Sequence, residues 1–149
     1  MSLIDEELVQ LGLAAGTAEE VLRKLANRLF AKGKVKASYE EAVVQRERSC
    51  PTGLPGAGLC IAVPHTDSSH VSEPAIAVGI LDKPVPFHMM GTLDTVLSVE
   101  VVIMLAVDKA ENHLAVLAQL MNTLQDQELL RQLKDAASSK EVCRLLAAL

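Results

Sequence analysis

The sequence predicts an α/β fold, a mixed β-sheet sandwiched by α-helices in a single domain over residues 1–149. Three observations carry this reading. Short apolar runs rich in β-branched residues recur at 59–63, 75–81 and 99–107, each bounded by loop residues, as buried strands are. Between and after them lie segments with helical apolar spacing, opened by capping residues such as Thr17, Ser38, Asp108 and Ser138. Half of the 149 residues are apolar, enough for a sizeable core at this length. The longest strand-like run, 101–107, is far short of the roughly 20 apolar residues needed to cross a bilayer.

Taken in order, 7–13 places Val9, Leu11 and Leu13 on alternate positions and reads as a first strand. Thr17 with Glu20 forms a capping box, Val21, Leu22, Leu25 and Leu29 follow at helical spacing, and Lys32-Gly33 closes a helix over 18–32. A second box, Ser38 with Glu41, opens a shorter helix ending in Gln45-Arg46-Glu47-Arg48, which delivers two guanidinium groups to the loop that follows. That loop, from Cys50, is rich in glycine and proline and leads into the strand 59–63. Pro64 ends the strand because it lacks the N–H that a ladder needs.

Beyond it, 66–74 is polar and expected to be exposed. The run 75–81 is apolar on both faces, as in a central strand. Pro84 and Pro86 frame a turn, 87–94 is loop or edge, and 99–107 is the strongest strand. Asp108 with Glu111 opens a helix whose buried face is expected to be Leu114, Leu117, Met121 and Leu124. Two short helices, from Asp126 and Ser138, complete the chain.

Composition excludes several classes of function. A net charge of −5 supplies no basic stripe for nucleic acid, and without tryptophan the aromatics Phe30, Tyr39 and Phe87 offer no base-stacking platform. Cys50, Cys60 and Cys143 are odd in number and lack metal-ligand spacing, so they read as free thiols of a reducing, cytoplasmic compartment. The acidic start of the chain is unlike a signal peptide, and no direct membrane insertion is expected.

The chemistry concentrates where the strand 59–63 leaves the sheet. Gly53, Gly56 and Gly58 precede a strand rather than follow one, and no Lys-Ser or Lys-Thr comes after them, so neither a dinucleotide loop nor a P-loop is present. They read either as a tight loop using positive φ or as a place of close backbone approach. The four histidines lack an HExxH pattern or a supporting cysteine pair, and no metal or other cofactor is expected. No G-x-S-x-G elbow occurs.

His65 is the leading candidate, since a neutral imidazole is a good nucleophile near pH 7. A phosphoryl group in transfer needs donors around its equatorial oxygens, and Thr52, Thr66, Arg46 and loop N–H groups are suitable. His113 reads either as a solvated residue or as a second imidazole at a helix N-terminus, where anions are favoured.

Arg46-Glu47, Pro51-Thr52-Gly53-Leu54, Ile61-Ala62-Val63-Pro64-His65-Thr66 and Asn112-His113-Leu114, in this order, resemble the IIA domains of the fructose and mannitol type. These are components of the bacterial phosphoenolpyruvate-dependent sugar phosphotransferase system. The resemblance extends over nearly the whole chain. It implies a phosphotransferase component in which His65 accepts phosphate, through Nε2, from the histidine-containing phosphocarrier protein. His65 would then pass it to a IIB component, with a membrane IIC component acting indirectly.

The resemblance also implies that Arg46 and His113 support the phosphohistidine and that Thr52 contacts the phosphate. Pro51-Thr52-Gly53 and the Phe87-x-x-Met90-Gly91 segment look more like the galactitol branch, some members of which lack the histidine matched by His113. The alternative is a regulatory module of the nitrogen type, in which the phosphorylation state of the same histidine controls partner binding.

Overall fold

The chain builds one five-stranded sheet. A computed structural model describes residues 3–107 and 110–147, with side chains for all of these except 110–113 and 124. The strands are β1 (Ile4–Leu13), β2 (Gly53–Pro55), β3 (Cys60–Ala62), β4 (Ala75–His88) and β5 (Val96–Ala106). The helices are α1 (Ala18–Ala31), α2 (Tyr39–Ser49), α3 (Ala110–Leu124), α4 (Gln127–Lys134) and α5 (Ser139–Leu145). In the order β1-β4-β5-β3-β2, the outer pair β1/β4 and the inner pair β5/β3 are parallel, whereas β4/β5 and β3/β2 are antiparallel. This is the mixed, helix-covered sheet that the sequence predicts.

Each face of the sheet has its own core. Ala75, Ala77, Val102, Met104 and Ala106 pack with Leu22, Leu25 and Leu29 of α1 and Tyr39, Val43 and Val44 of α2. The alternate residues Ile76, Val78, Ile80, Val101, Ile103 and Leu105 meet Val116 and Leu120 of α3, Leu130 and Leu133 of α4 and Val142 of α5. Period-two alternation thus sends small β4 residues toward α1 and branched ones to the opposite face. A Cβ at Gly79 would lie 3.0 Å from the Leu13 side chain and 3.4 Å from that of Leu25, which is how close α1 approaches.

Caps behave as read at Thr17, Asp126 and Ser138, whose side chains accept from the N–H of Glu20, Leu129 and Glu141. Ser38 does not cap. Its backbone is already helical (φ −73°, ψ −14°), and its hydroxyl pairs with Nδ1 of His70 at 2.8 Å. The proposed box at Asp108 lies outside the described residues.

Other expectations are corrected. β1 begins at Ile4, and irregular register with β4, together with positive φ at Gly12, breaks its simple alternation. Pro84 and Pro86 lie inside β4 rather than in a turn, with Val85 paired to Val99 and Phe87 to Leu97. They are tolerated because β1 ends opposite Leu81, so the far edge of β4 beyond it needs no further N–H donors. In the segment 66–74 Thr66 and Val71 are buried, Val71 bridging to Val35. On α3 Leu117 packs against the core as expected, but the buried positions among the described side chains are Val116 and Leu120, Leu114 and Met121 are exposed, and the Leu124 side chain lies outside the described residues. The helix is apolar on two adjacent stripes, and spacing alone does not choose between them.

Part of the glycine-rich loop is an edge strand. β2 pairs with β3 through Gly53↔Ala62, Leu54↔Ile61 and Pro55↔Cys60. Gly58 uses positive φ (97°), whereas Gly53 serves close approach: a Cβ there would fall 2.6 Å from the carbonyl oxygen of His88. Gly53→Ala must therefore push β2 away from the end of β4. The expected cost is about 2 kcal/mol, measured as a lower urea midpoint at unchanged m-value; an unmoved midpoint would mean the strand ends part freely.

Candidate functional site

His65 is held where β3 and β5 end side by side. Past the end of β3, the Pro64 carbonyl still accepts from the Leu105 N–H at 2.9 Å, and His65 bridges to Leu105 in parallel register. The Leu105 carbonyl in turn accepts from the buried hydroxyl of Tyr39 at 2.7 Å, tying α2 to the same rung. The proline ends the strand without releasing the chain from the sheet.

Two residues back, the Val63 carbonyl lies 2.8 Å from Nδ1 of His65. A carbonyl can only accept, so Nδ1 carries the proton, and the neutral ring keeps its lone pair on Nε2. Burial, opposed by this hydrogen bond and reinforced by the positive charge of Arg46, holds the imidazole below its ordinary pKa of 6.5. His65 is therefore neutral at physiological pH.

Arg46 comes from the last turn of α2, and its Nε is buried with no hydrogen-bond partner among the described residues. Arg48 does not join it. That guanidinium turns away to Glu19 at 2.6 Å, so α2 brings one of the two expected arginines to the site.

Thr52 is 2% exposed, and both of its donors go to one carboxylate. Its N–H reaches Oε2 of Glu47 at 2.8 Å and its hydroxyl reaches Oε1 at 2.7 Å. Thr66, next to His65, is 6% exposed. His113 belongs to the first turn of α3, which begins at Ala110, shortly after β5 ends at Ala106. Its side chain lies outside the described residues. His70 is occupied with Ser38 at the surface.

Glu47 is the residue that sequence reasoning passed over as a site member. Burial pushes its carboxyl up to about 7, against the pull of the two Thr52 donors. A signal existed: an acid in the last turn of a helix faces the negative end of the dipole and needs local donors to compensate. Thr52, five residues on, supplies two. Glu47 also borders a cavity of about 380 Å³ between α1, α2 and the far end of β4, floored by Leu22, Val44 and Phe87.

With this geometry in hand, residues 2–148 match the family model described as phosphoenolpyruvate-dependent sugar phosphotransferase system, EIIA 2. The chain belongs to this family. Domains of the EIIA 2 family are phosphotransferase components that move phosphoryl groups through a phosphohistidine.

The galactitol-specific EIIA component of Escherichia coli (strain K12) is 30% identical over 125 residues, spanning 84% of this chain and 83% of that protein. The 2-O-alpha-mannosyl-D-glycerate-specific EIIABC component of the same strain is 35% identical over 136 residues, 88% of this chain but 19% of that much longer protein. Among solved structures, the complex of enzyme IIA-Mtl and phosphorylated enzyme IIB-Mtl from Escherichia coli matches with a TM-score of 0.81 at 29% identity. That match covers 99% of this chain and 100% of that one. No helix among the described residues is long and apolar enough to cross a membrane.

The raised Glu47 pKa has a consequence for stability. Because the folded protein binds this proton more tightly than the unfolded chain, Glu47 contributes stability that is complete below about pH 4.5 and is lost as pH rises through about 7. Relative to Glu47→Gln, the wild type is expected to lose up to about 3 kcal/mol across that window, read from urea midpoints at each pH. A pH-independent difference would show that the carboxyl titrates normally.

Proposed function

We propose that His65 is the phosphoryl carrier of this EIIA domain, accepting from the histidine-containing phosphocarrier protein and donating to a IIB component in the cytoplasm. The observation that carries this reading is the Val63 carbonyl on Nδ1, which keeps the nucleophilic lone pair on Nε2 of a ring held neutral beside Arg46. In the step, the P–N bond of the donor phosphohistidine breaks and its electron pair returns to the donor ring. A new P–N bond forms at Nε2 of His65. Arg46 balances the negative charge on the equatorial oxygens.

Thr66, buried next to His65, and Thr52 complete the phosphate-contacting set. In the resting protein the Thr52 hydroxyl points its proton at Glu47, so it contacts phosphate only after rotating. His113, at the start of α3, supports the phosphohistidine from the helix N-terminus.

The similarity to the IIA partner of the mannitol IIA–IIB complex supports a IIB acceptor, with a membrane IIC component reached through it. The galactitol-specific and 2-O-alpha-mannosyl-D-glycerate-specific relatives, 30% and 35% identical, carry sugar-specific names, which favours transport of a galactitol- or fructose-like substrate over the regulatory module.

The test is intact-mass spectrometry at neutral to alkaline pH after incubation with phosphoenolpyruvate, enzyme I and the phosphocarrier protein. One acid-labile phosphate is expected on the wild type and none on His65→Ala. Phosphate on the variant, or none on the wild type while a control IIA is labelled, would overturn the assignment.

The titration of the His65 ring, followed by its own ¹⁵N shifts without a phosphoryl donor, should have its midpoint below 6.5. A midpoint at or above 6.5 would contradict the lowered pKa. Replacing His113 by alanine should slow transfer to the IIB partner more than it alters the urea midpoint. Unchanged transfer kinetics would return His113 to the role of a solvated first-turn residue.

A further inference from the structure

We infer that Glu47 is a positioning residue for phosphoryl transfer, setting the orientation and tautomer of His65 through a continuous hydrogen-bond chain without touching the phosphate. The chain has three links. Glu47 accepts from the Thr52 N–H at 2.8 Å and from its hydroxyl at 2.7 Å. The Thr52 carbonyl accepts from the Val63 N–H at 3.2 Å. The Val63 carbonyl accepts from Nδ1–H of His65 at 2.8 Å.

The links run in one direction. Glu47, on α2, is the acceptor that ends the chain, and His65, beyond β3, is the donor that begins it. Removing the acceptor frees Thr52, which precedes the three-residue strand β2 on the outer edge of the sheet. β2 itself stays in place through its ladder with β3 and the Met90 N–H on the Gly53 carbonyl at 2.8 Å, so the loss is local to Thr52. The rung between Thr52 and Val63 lies just beyond that ladder and is the part that loosens, so the Val63 carbonyl can turn away from Nδ1.

An imidazole that loses this acceptor redistributes its proton between the two nitrogens, and the fraction with a lone pair on Nε2 falls. Thr52 also forms part of the loop next to the phosphate, so a fixed Thr52 holds the loop amides that would face it. The carboxylate acts on the nucleophile and on its surroundings at once. Its opening onto the cavity beside Phe87 and His88 keeps it in contact with solvent protons. The charged and titratable groups that share the cavity with it are Arg48 on α2, Glu19 on α1 and His88 at the end of β4.

This inference rests on the carrier reading of His65, and the experiment separates the two. The ¹⁵N shifts of the His65 ring are recorded, without any phosphoryl donor, in wild type, Glu47→Gln and Thr52→Val. The rate of phosphorylation by the phosphocarrier protein is measured for wild type and Glu47→Gln. The wild type is expected to show Nδ1 protonated and Nε2 bare of hydrogen.

In Glu47→Gln, whose amide meets a Thr52 donor with a donor of its own, the shifts should move toward the average of the two tautomers. The maximal rate should fall on the order of 10- to 100-fold, with the KM for the phosphocarrier protein unchanged. Thr52→Val keeps the main-chain bond and should move the shifts part of the way. Should Glu47→Gln not fold, the Thr52→Val shifts decide the matter.

Wild-type shifts and rate in a folded Glu47→Gln, or wild-type shifts in Thr52→Val where that variant decides, would overturn the inference. An unphosphorylated wild type beside a labelled control IIA would instead overturn the carrier reading.

Discussion

One backbone hydrogen bond, from the Leu105 N–H to the Pro64 carbonyl, sets the terms for the rest of the site. Proline removes a donor but keeps its acceptor, so the sheet loses its next outgoing bond and retains this one. The result is a chain that stops being a strand yet stays in register with β5 for one more residue, and that residue is His65. Tyr39 fixes the other side of the same rung by donating to the Leu105 carbonyl from a fully buried position. An imidazole on a free loop would spend conformational entropy on being placed; here the sheet and its two cores hold His65 in advance.

The architecture was legible because its signals are local and repeated. Apolar runs bounded by glycine and proline marked the strands, and Thr17, Asp126 and Ser138 cap as their sequences announce. Misreadings arose where tertiary context decided. Pro84 and Pro86 look like turn residues until it is known that β1 ends opposite Leu81 and leaves that edge of β4 unpaired. Ser38 carries a capping residue's chemistry, but His70, distant in sequence, competes for its hydroxyl. The apolar stripe of α3 keeps the expected Leu117 but turns toward Val116 and Leu120, because the helix offers two stripes and only the sheet selects between them.

The site was legible in type more than in wiring. His65, Arg46 and Thr52 stand out as residue types suited to phosphoryl chemistry, and α2 and the hairpin bring them to one end of the sheet. What sequence could not show is where the donors point. Arg48 looks equivalent to Arg46 two positions earlier, yet Glu19 on the neighbouring helix takes it. The Thr52 hydroxyl looks like a phosphate donor, and Glu47 claims it in the resting protein. Hydrogen bonding is a matter of partners within about 3 Å, and those partners are settled only when helices and hairpins dock.

The two prolines in β4 have a bearing on how the molecule behaves among its own copies. Beyond Leu81 the strand presents a bare rim, the kind of surface on which a second chain can add a strand and start an aggregate. At Pro84 and Pro86 that rim lacks the N–H groups such an addition would need, and both residues are exposed, where an incoming strand would meet them. Elsewhere the borders are guarded in other ways: β2 is three residues long and ends in Pro55, and the edge strand β1 carries the exposed acids Asp5, Glu6 and Glu7. An open sheet that must leave one end accessible to other proteins is thereby kept from joining with itself along its sides.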